Sequence, residues 1–337
     1  MTVANKIRIL RGARFYIEDN ISTTIAGYRA NRLGTEGQRP SVELAGGILY
    51  VGGPNVAAFA STQTVGHLTI ANGGSATVSV ARRHASSTPT LILSGLSQEL
   101  GATVNFTGNN LGTAATACSR IIFETPPDLI YGIMGGTIRA DNAWATYDDN
   151  GVKALTVYDG TSIQNATMYD NISVTAGQAI SSDVSVNSLF WNHNSTINLG
   201  TYGLTITSGG LMKINNNANI IDGTTGYVTA GSGDGRPIAL NFFLNNSSQT
   251  LTLRALIKDN PKGAGNKVTV IRDGVATGSL TFSQADDNTY SGGTIINSGL
   301  LTSGSVADRR YFGSGPVTVY GAQLTLNAPG ATSNSDG

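Results

Sequence analysis

The sequence predicts an all-β fold wound as a parallel β-helix, a solenoid of short strands stacked turn upon turn. Three observations predict it. The strand-like runs are shorter than the usual five or six residues of globular proteins. Their connections rarely carry the Asn-Gly or Asp-Gly pairs of two-residue hairpins. A Gly shortly before a Leu-Thr-apolar run recurs at Gly66, Gly203, Gly278 and Gly321, the imperfect self-similarity of a coil repeat.

Taken in order, residues 1–40 are charged and irregular, and are expected to form a cap or entry segment. Their basic residues Lys6, Arg8, Arg11 and Arg14 read as a solvated strand edge that resists stacking. The solenoid itself is expected over residues 41–337. Alternating or β-branched runs mark strands at 42–44, 48–51, 67–70, 76–80, 90–93, 103–106 and 121–123. Residues 124–185 hold fewer such runs, a Pro126-Pro127 pair and several Asp, and read as an elaborated region on the solenoid. Strands resume at 188–191, 196–199, 204–206, 251–253, 268–271, 279–282, 294–296, 317–319 and 323–326. Glycine pairs such as Gly46-Gly47, Gly209-Gly210 and Gly292-Gly293 flank them as turn signals. Helical turns are expected only near 57–60 and 303–310. Inward Leu, Ile, Val and Phe should stack in columns while Thr, Ser and Asn face water, at about 20 to 25 residues per turn.

Composition agrees with a polar but weakly charged surface. Charged residues are 12% of the chain, against about 25% in average soluble domains. Ser, Thr, Asn and 43 Gly take the place of charge. The 21 basic and 21 acidic residues balance, so no basic field draws nucleic acid. The single cysteine, Cys118, cannot form an internal disulfide and reads as a small core residue before Ile121. No run of about 18 apolar residues appears, so no transmembrane segment is expected. The first residues carry charges and no apolar stretch, unlike a signal peptide. An exported chain of this kind would be an excised piece of a longer precursor, and the uncapped end at 330–337 fits a cut.

The stretch from Asp287 to Leu301 resembles the autotransporter-associated β-strand repeat of bacterial passenger proteins. Asn288, Thr289, Tyr290, Gly292, Gly293, Thr294, Ile296, Gly299 and Leu300 carry the resemblance. The strands near 278–282 and 313–319 are similar to its flanks. A second stretch, Gly132-Ile-Met-Gly-Gly136 followed by Trp144 and Val152, resembles the segment that precedes such repeats, with Thr137 where the family usually carries Trp. The resemblance frames residues 132–326. It implies a right-handed parallel β-helix (solenoid), export, and display at the cell surface or release, and it brings no catalytic residue. Within the motif, Tyr290 is expected to lay its ring over a turn with its hydroxyl in water.

Candidate chemistry is sparse. Asp148-Asp149 and Asp286-Asp287 each sit on adjacent positions before Asn, and read as turns rather than paired carboxylates. His67, His84 and His193 lack metal-ligand spacing. Gly231-Ser-Gly-Asp-Gly235 is a single, incomplete version of the tandem calcium motif. No catalytic residue, cofactor or metal site is therefore expected. Trp144, Tyr147, Tyr158 and Tyr169 fall in the irregular region and are the candidate ligand or partner contacts.

The expected function is a non-enzymatic, secreted or surface-displayed stalk or fibre segment that self-associates end to end or side by side. The alternative is an adhesin or carbohydrate-binding module that contacts a glycan or a host or neighbour cell surface. A third class is a polysaccharide lyase or tailspike-like glycosidase. The expected location is extracellular or the bacterial cell surface, with signal peptide and membrane anchor outside this chain.

Overall fold

The computed structural model describes residues 6–18, 30–34, 38–245, 250–274, 277–306 and 308–327. Among them there are thirty strands and no helix. The turns expected near 57–60 and 303–310 are therefore not helical where described, and residues 330–337 lie outside the described residues. The chain divides into two compact units, Met1–Val157 and Tyr158–Gly337.

In the first unit the chain visits three sheets in rotation. It begins with β1 (Lys6–Leu10) and β2 (Arg14–Glu18), then β3 (Ser41–Ala45), β4 (Ile48–Gly52) and β5 (Ala60–Val65). A second circuit follows as β6 (Leu68–Ile70), β7 (Ser75–Ala81) and β8 (Thr88–Leu93), and a third as β9 (Leu96–Gln98), β10 (Thr103–Gly108) and β11 (Arg120–Phe123). The sheets run β1-β3-β6-β9, β2-β4-β7-β10 and β5-β8-β11, all paired in parallel. Val42 pairs with Leu68 and Leu68 with Leu96, so each return takes 26 and then 28 residues, longer than the expected 20 to 25. The described parts of residues 1–40 thus include strands of the first two sheets; the rest of that expected cap lies largely outside the described residues.

Burial alternates along these strands, as in β7 and β8, because successive side chains point to opposite faces. Register then lines the inward ones into columns such as Leu49, Val78, Phe106 and Ala140. Each fully buried Leu, Val or Phe contributes roughly 1.5–3 kcal/mol. The second sheet ends in β12 (Ile138–Ala140), β13 (Ala143–Asp148) and β14 (Gly151–Ala154), and there the pairing turns antiparallel. Asn150-Gly151, a hairpin pair, sits at the β13–β14 reversal. These are the two antiparallel ladders among 25 between described strands.

The second unit alternates between two long sheets. One runs β15 (Asn171–Val174), β17 (Val184–Trp191), β19 (Gly203–Lys213), β22 (Ile238–Leu244), β25 (Val268–Gly274), β27 (Thr294–Ile296) and β29 (Val317–Val319). The other runs β16 (Gln178–Ala179), β18 (Thr196–Asn198), β20 (Asn219–Asp222), β23 (Thr250–Leu253), β26 (Ser279–Phe282), β28 (Leu300–Thr302) and β30 (Gln323–Thr325). Two short strands, β21 (Tyr227–Ala230) and β24 (Leu256–Ile257), extend the first from β19. Every ladder here is parallel. Return lengths vary from 17 residues (Ile172 to Leu189) to 32 (Ile221 to Leu253).

The expectation that outward Thr, Ser and Asn face water fails in the middle of this unit. All eleven residues of β19 are buried, as are nearly all of β22 and β25. Thr205, Thr207, Ser208, Asn241 and Thr269 are among them. Two of the buried hydroxyls have backbone partners: Ser208 donates to the Asn187 carbonyl at 2.7 Å and Thr269 to the Gly292 carbonyl at 3.1 Å. A register shift between Val186 and Ser188 accommodates extra residues of β19. Gly209 lies there at φ +76°, where a Cβ would fall 1.7 Å from the Ala239 carbonyl oxygen.

Candidate functional site

The four aromatic residues expected as contacts do not form one exposed surface. Trp144 and Tyr147 lie on β13 in the first unit; Tyr158 and Tyr169 lie in the second. Trp144 is fully buried, which removes it as a surface contact. The Tyr147 hydroxyl accepts from the Phe123 N–H (2.9 Å) and donates to the Phe123 carbonyl (3.1 Å), so it clamps the end of β11. Its ring tilts on Phe123 at 6.0 Å. Tyr158 stacks on Phe190 at 4.9 Å, and burial of its hydroxyl pushes the phenol pKa up. Of the four, only Tyr169 presents a largely exposed ring, at 55%. Physically, an aromatic ring between turns serves packing as readily as contact, and sequence spacing cannot separate the two.

The residues of the Asn-Thr-Tyr motif build a buried corner. Asn288 is 1% exposed. It accepts from the Ile257 N–H at 2.7 Å and donates to the Tyr311 carbonyl at 2.6 Å, tying together segments 31 residues before it and 23 after it. Tyr290 is fully buried, contrary to the expectation of a wet hydroxyl. That hydroxyl meets the Thr294 hydroxyl at 2.6 Å, which in turn donates to the Phe312 carbonyl. Burial raises the phenol pKa, against the smaller opposing effect of the Thr294 hydrogen bond. Gly293 takes φ +95°, the left-handed corner that glycine allows.

Two cations occupy inward positions of the second unit. Lys213 pairs in register with Trp191 on one side and Leu244 on the other, is 2% exposed, and donates to the Asn215 carbonyl at 2.9 Å. Burial pushes its pKa down to about 8. Arg272 stands between Phe242 and Ile296 with no exposure. Its guanidinium donates to the carbonyls of Asp273, Gly278 and Leu300. Burial lowers its pKa to about 10, and Asp273 opposes that shift. Both were missed in the sequence, although the period of two places Arg272 after Val268 and Val270, and Lys213 after Leu211.

Several expectations meet their residues directly. Cys118 is buried, with the Arg120 Nε donating to its sulfur at 3.4 Å. Asp148 and Gly151 pair across the β13–β14 reversal, and Lys153 pairs with Asp148. Asp287 binds Arg310 at 2.9 Å and Asp286 approaches Arg309 at 3.6 Å. No group of three or more His, Cys, Asp or Glu stands together to hold a metal among the described residues. Among the described residues no helix is long and apolar enough to cross a membrane.

A notch of about 280 Å³ opens in the first unit where the third circuit ends. His67, Ser94, Gly95, Leu96, Thr125, Pro126, Pro127 and Asp128 line it. Up to Thr125 the chain follows the corner beneath it: the Glu124 N–H donates to the Leu93 carbonyl and the Thr125 N–H to the Ser94 carbonyl. Pro126 and Pro127 have no N–H to continue that ladder, so the chain departs and leaves β9 at the sheet edge. Ser97 donates to the Thr69 hydroxyl at 3.2 Å, and His67 Nε2 lies 3.0 Å from the same Ser97 oxygen. The other ring nitrogen, Nδ1, makes no hydrogen bond among the described residues. An added Cβ on Gly95 would stand 3.0 Å from that Nδ1. Sequence reasoning placed His67 before a strand and missed the notch, whose walls come from three segments far apart in the chain.

Comparison with protein family models, with curated proteins and with solved structures finds no match to this chain.

Proposed function

We infer that this chain is a structural segment of a large exported bacterial protein, in which a right-handed parallel β-helix serves as a stalk or fibre at the cell surface. One observation carries the inference: apart from the antiparallel β12–β13–β14 end of the first unit, the strands of each unit pair in parallel with strands one return of the chain away. Equivalent side chains then pile into inward columns, which is how a coil holds itself without disulfides. The resemblance of residues 287–301 to the passenger repeat supports export. Val317 and Val319 on β29 remain 42% and 43% exposed, an apolar surface that favours self-association.

Antibody labelling of intact bacteria that express the full parent protein tests display. Labelling of intact cells, or recovery of the chain from the medium, is expected; signal only after lysis overturns export. Sedimentation velocity tests assembly. Oligomers that grow with concentration and shrink in a Val317→Lys, Val319→Lys double variant are expected. A chain that stays monomeric at all concentrations removes the fibre.

A further inference from the structure

We propose that the notch between His67 and Pro126-Pro127 is a binding site for a neutral saccharide, deep enough for about one sugar ring. Its volume of about 280 Å³ sits at the lower end of ligand pockets, which span roughly 300–1,000 Å³. The wall chemistry selects the ligand. His67 Nδ1 is left unbonded while Nε2 meets Ser97, so it offers a polar ring nitrogen to a sugar hydroxyl, which can donate or accept. Asp128 adds carboxylate acceptors, and Ser94 and Thr125 add hydroxyls that accept or donate. The side chains of Ser94, Thr125 and Asp128 make no hydrogen bond among the described residues, so their capacity is unspent. No Lys or Arg lines the notch, and the nearby Glu124 carboxylate is held by Arg39 at 2.6 Å. An anionic ligand would therefore meet a carboxylate with nothing to balance it. A polyol offers the donors these acceptors need. The rings of Pro126 and Pro127, with Leu96, supply apolar C–H surface for a pyranose face. Gly95 leaves the floor open beneath His67 Nδ1, in space a methyl group would occupy.

The site is independent of the stalk function, because it needs only the first unit. The test titrates the full chain with glucose, galactose, mannose and N-acetylglucosamine, read by saturation-transfer NMR and by the ring ¹⁵N signals of His67. Saturable binding of at least one sugar is expected, with the ring ¹⁵N signals of His67 moving on binding. Gly95→Ala is expected to weaken that binding about tenfold or more, equivalent to about 1.4 kcal/mol. Asp128→Asn and Thr125→Val, on exposed loop positions, are a second pair that keeps the test open should Gly95→Ala fold poorly. His84→Ala, away from the notch, should leave affinity unchanged. Failure of every sugar to saturate overturns the proposal. So does unaltered binding in Gly95→Ala together with Asp128→Asn, or preferential binding of ethanolammonium over all four sugars.

Discussion

The two units solve the same stacking problem differently. The strands of the first fall into three short-stranded sheets, and its inward columns, such as Leu49-Val78-Phe106-Ala140, are apolar from end to end. Those of the second fall into two long sheets, and its equivalent columns admit Lys213 and Arg272. A parallel stack repeats each position from turn to turn, so a cation in a column cannot meet an opposing column of acids. It must find backbone carbonyls at the corners instead, as Arg272 does at Asp273, Gly278 and Leu300. An apolar column needs only volume; a column with a cation needs correctly placed loops.

Each unit holds one of the chain's two tryptophans, Trp144 in the first and Trp191 in the second, both fully buried. Trp144→Phe and Trp191→Phe chains therefore give a fluorescence reporter for each unit in turn. Arg272→Ala should cost the most. It leaves corner carbonyls unpaired and opens a cavity, and is expected to lower the stability reported by Trp191 by about 3–5 kcal/mol. Phe106→Ala should cost about 3–5 kcal/mol by cavity formation alone, reported by Trp144. Urea unfolding of the single-tryptophan chains measures both. Equal shifts of both reporters by either variant would erase the distinction between the units.

Lys213 should act in the opposite sense. Its folded pKa of about 8 lies below the ordinary 10.5. Below about pH 8 the amine is charged in both states and its burial penalty is complete. Between about pH 8 and 10.5 the unfolded chain binds more protons, so stability rises with pH, by about 3 kcal/mol in all. Lys213→Met should stabilise the second unit by up to that amount at pH 7 and flatten the rise. An unchanged pH profile in the methionine variant would show that the amine is already solvated.

Smaller effects test the motif corner. Asn288→Ala removes the partners of the Ile257 N–H and the Tyr311 carbonyl, and should cost about 2–3 kcal/mol. Tyr290→Phe removes only the bond to Thr294 and should cost about 1 kcal/mol. A reversed order of these two in urea titration would make the tyrosine hydroxyl, and not the asparagine bridge, the main tie of the corner.

Strands that alternate were legible in the sequence. The run read at 90–93 falls in β8, and the run read at 279–282 is β26, because one face is buried and the other is not. β22 was not read, since Ala239 to Leu244 is buried on both faces and shows no period of two. The hairpin at β13–β14 was present as Asn150-Gly151 but lay in a stretch treated as irregular. Of the aromatic contacts, Trp144 and Tyr147 belong to the interior and the β11 clamp, and residue type alone does not distinguish a packed ring from an exposed one.

By itself the sequence determined that the chain is built of short strands with one apolar face, because alternation and glycine corners are local properties. It also determined that these strands carry too little charge for a surface defined by ion pairs. Only the tertiary structure decided which strands are buried on both faces, where a cation enters a column, and which two other segments close around His67. Those outcomes depend on segments 17 to 35 residues apart arriving in register, and no local pattern encodes which side chain will find itself beside another one return of the chain away.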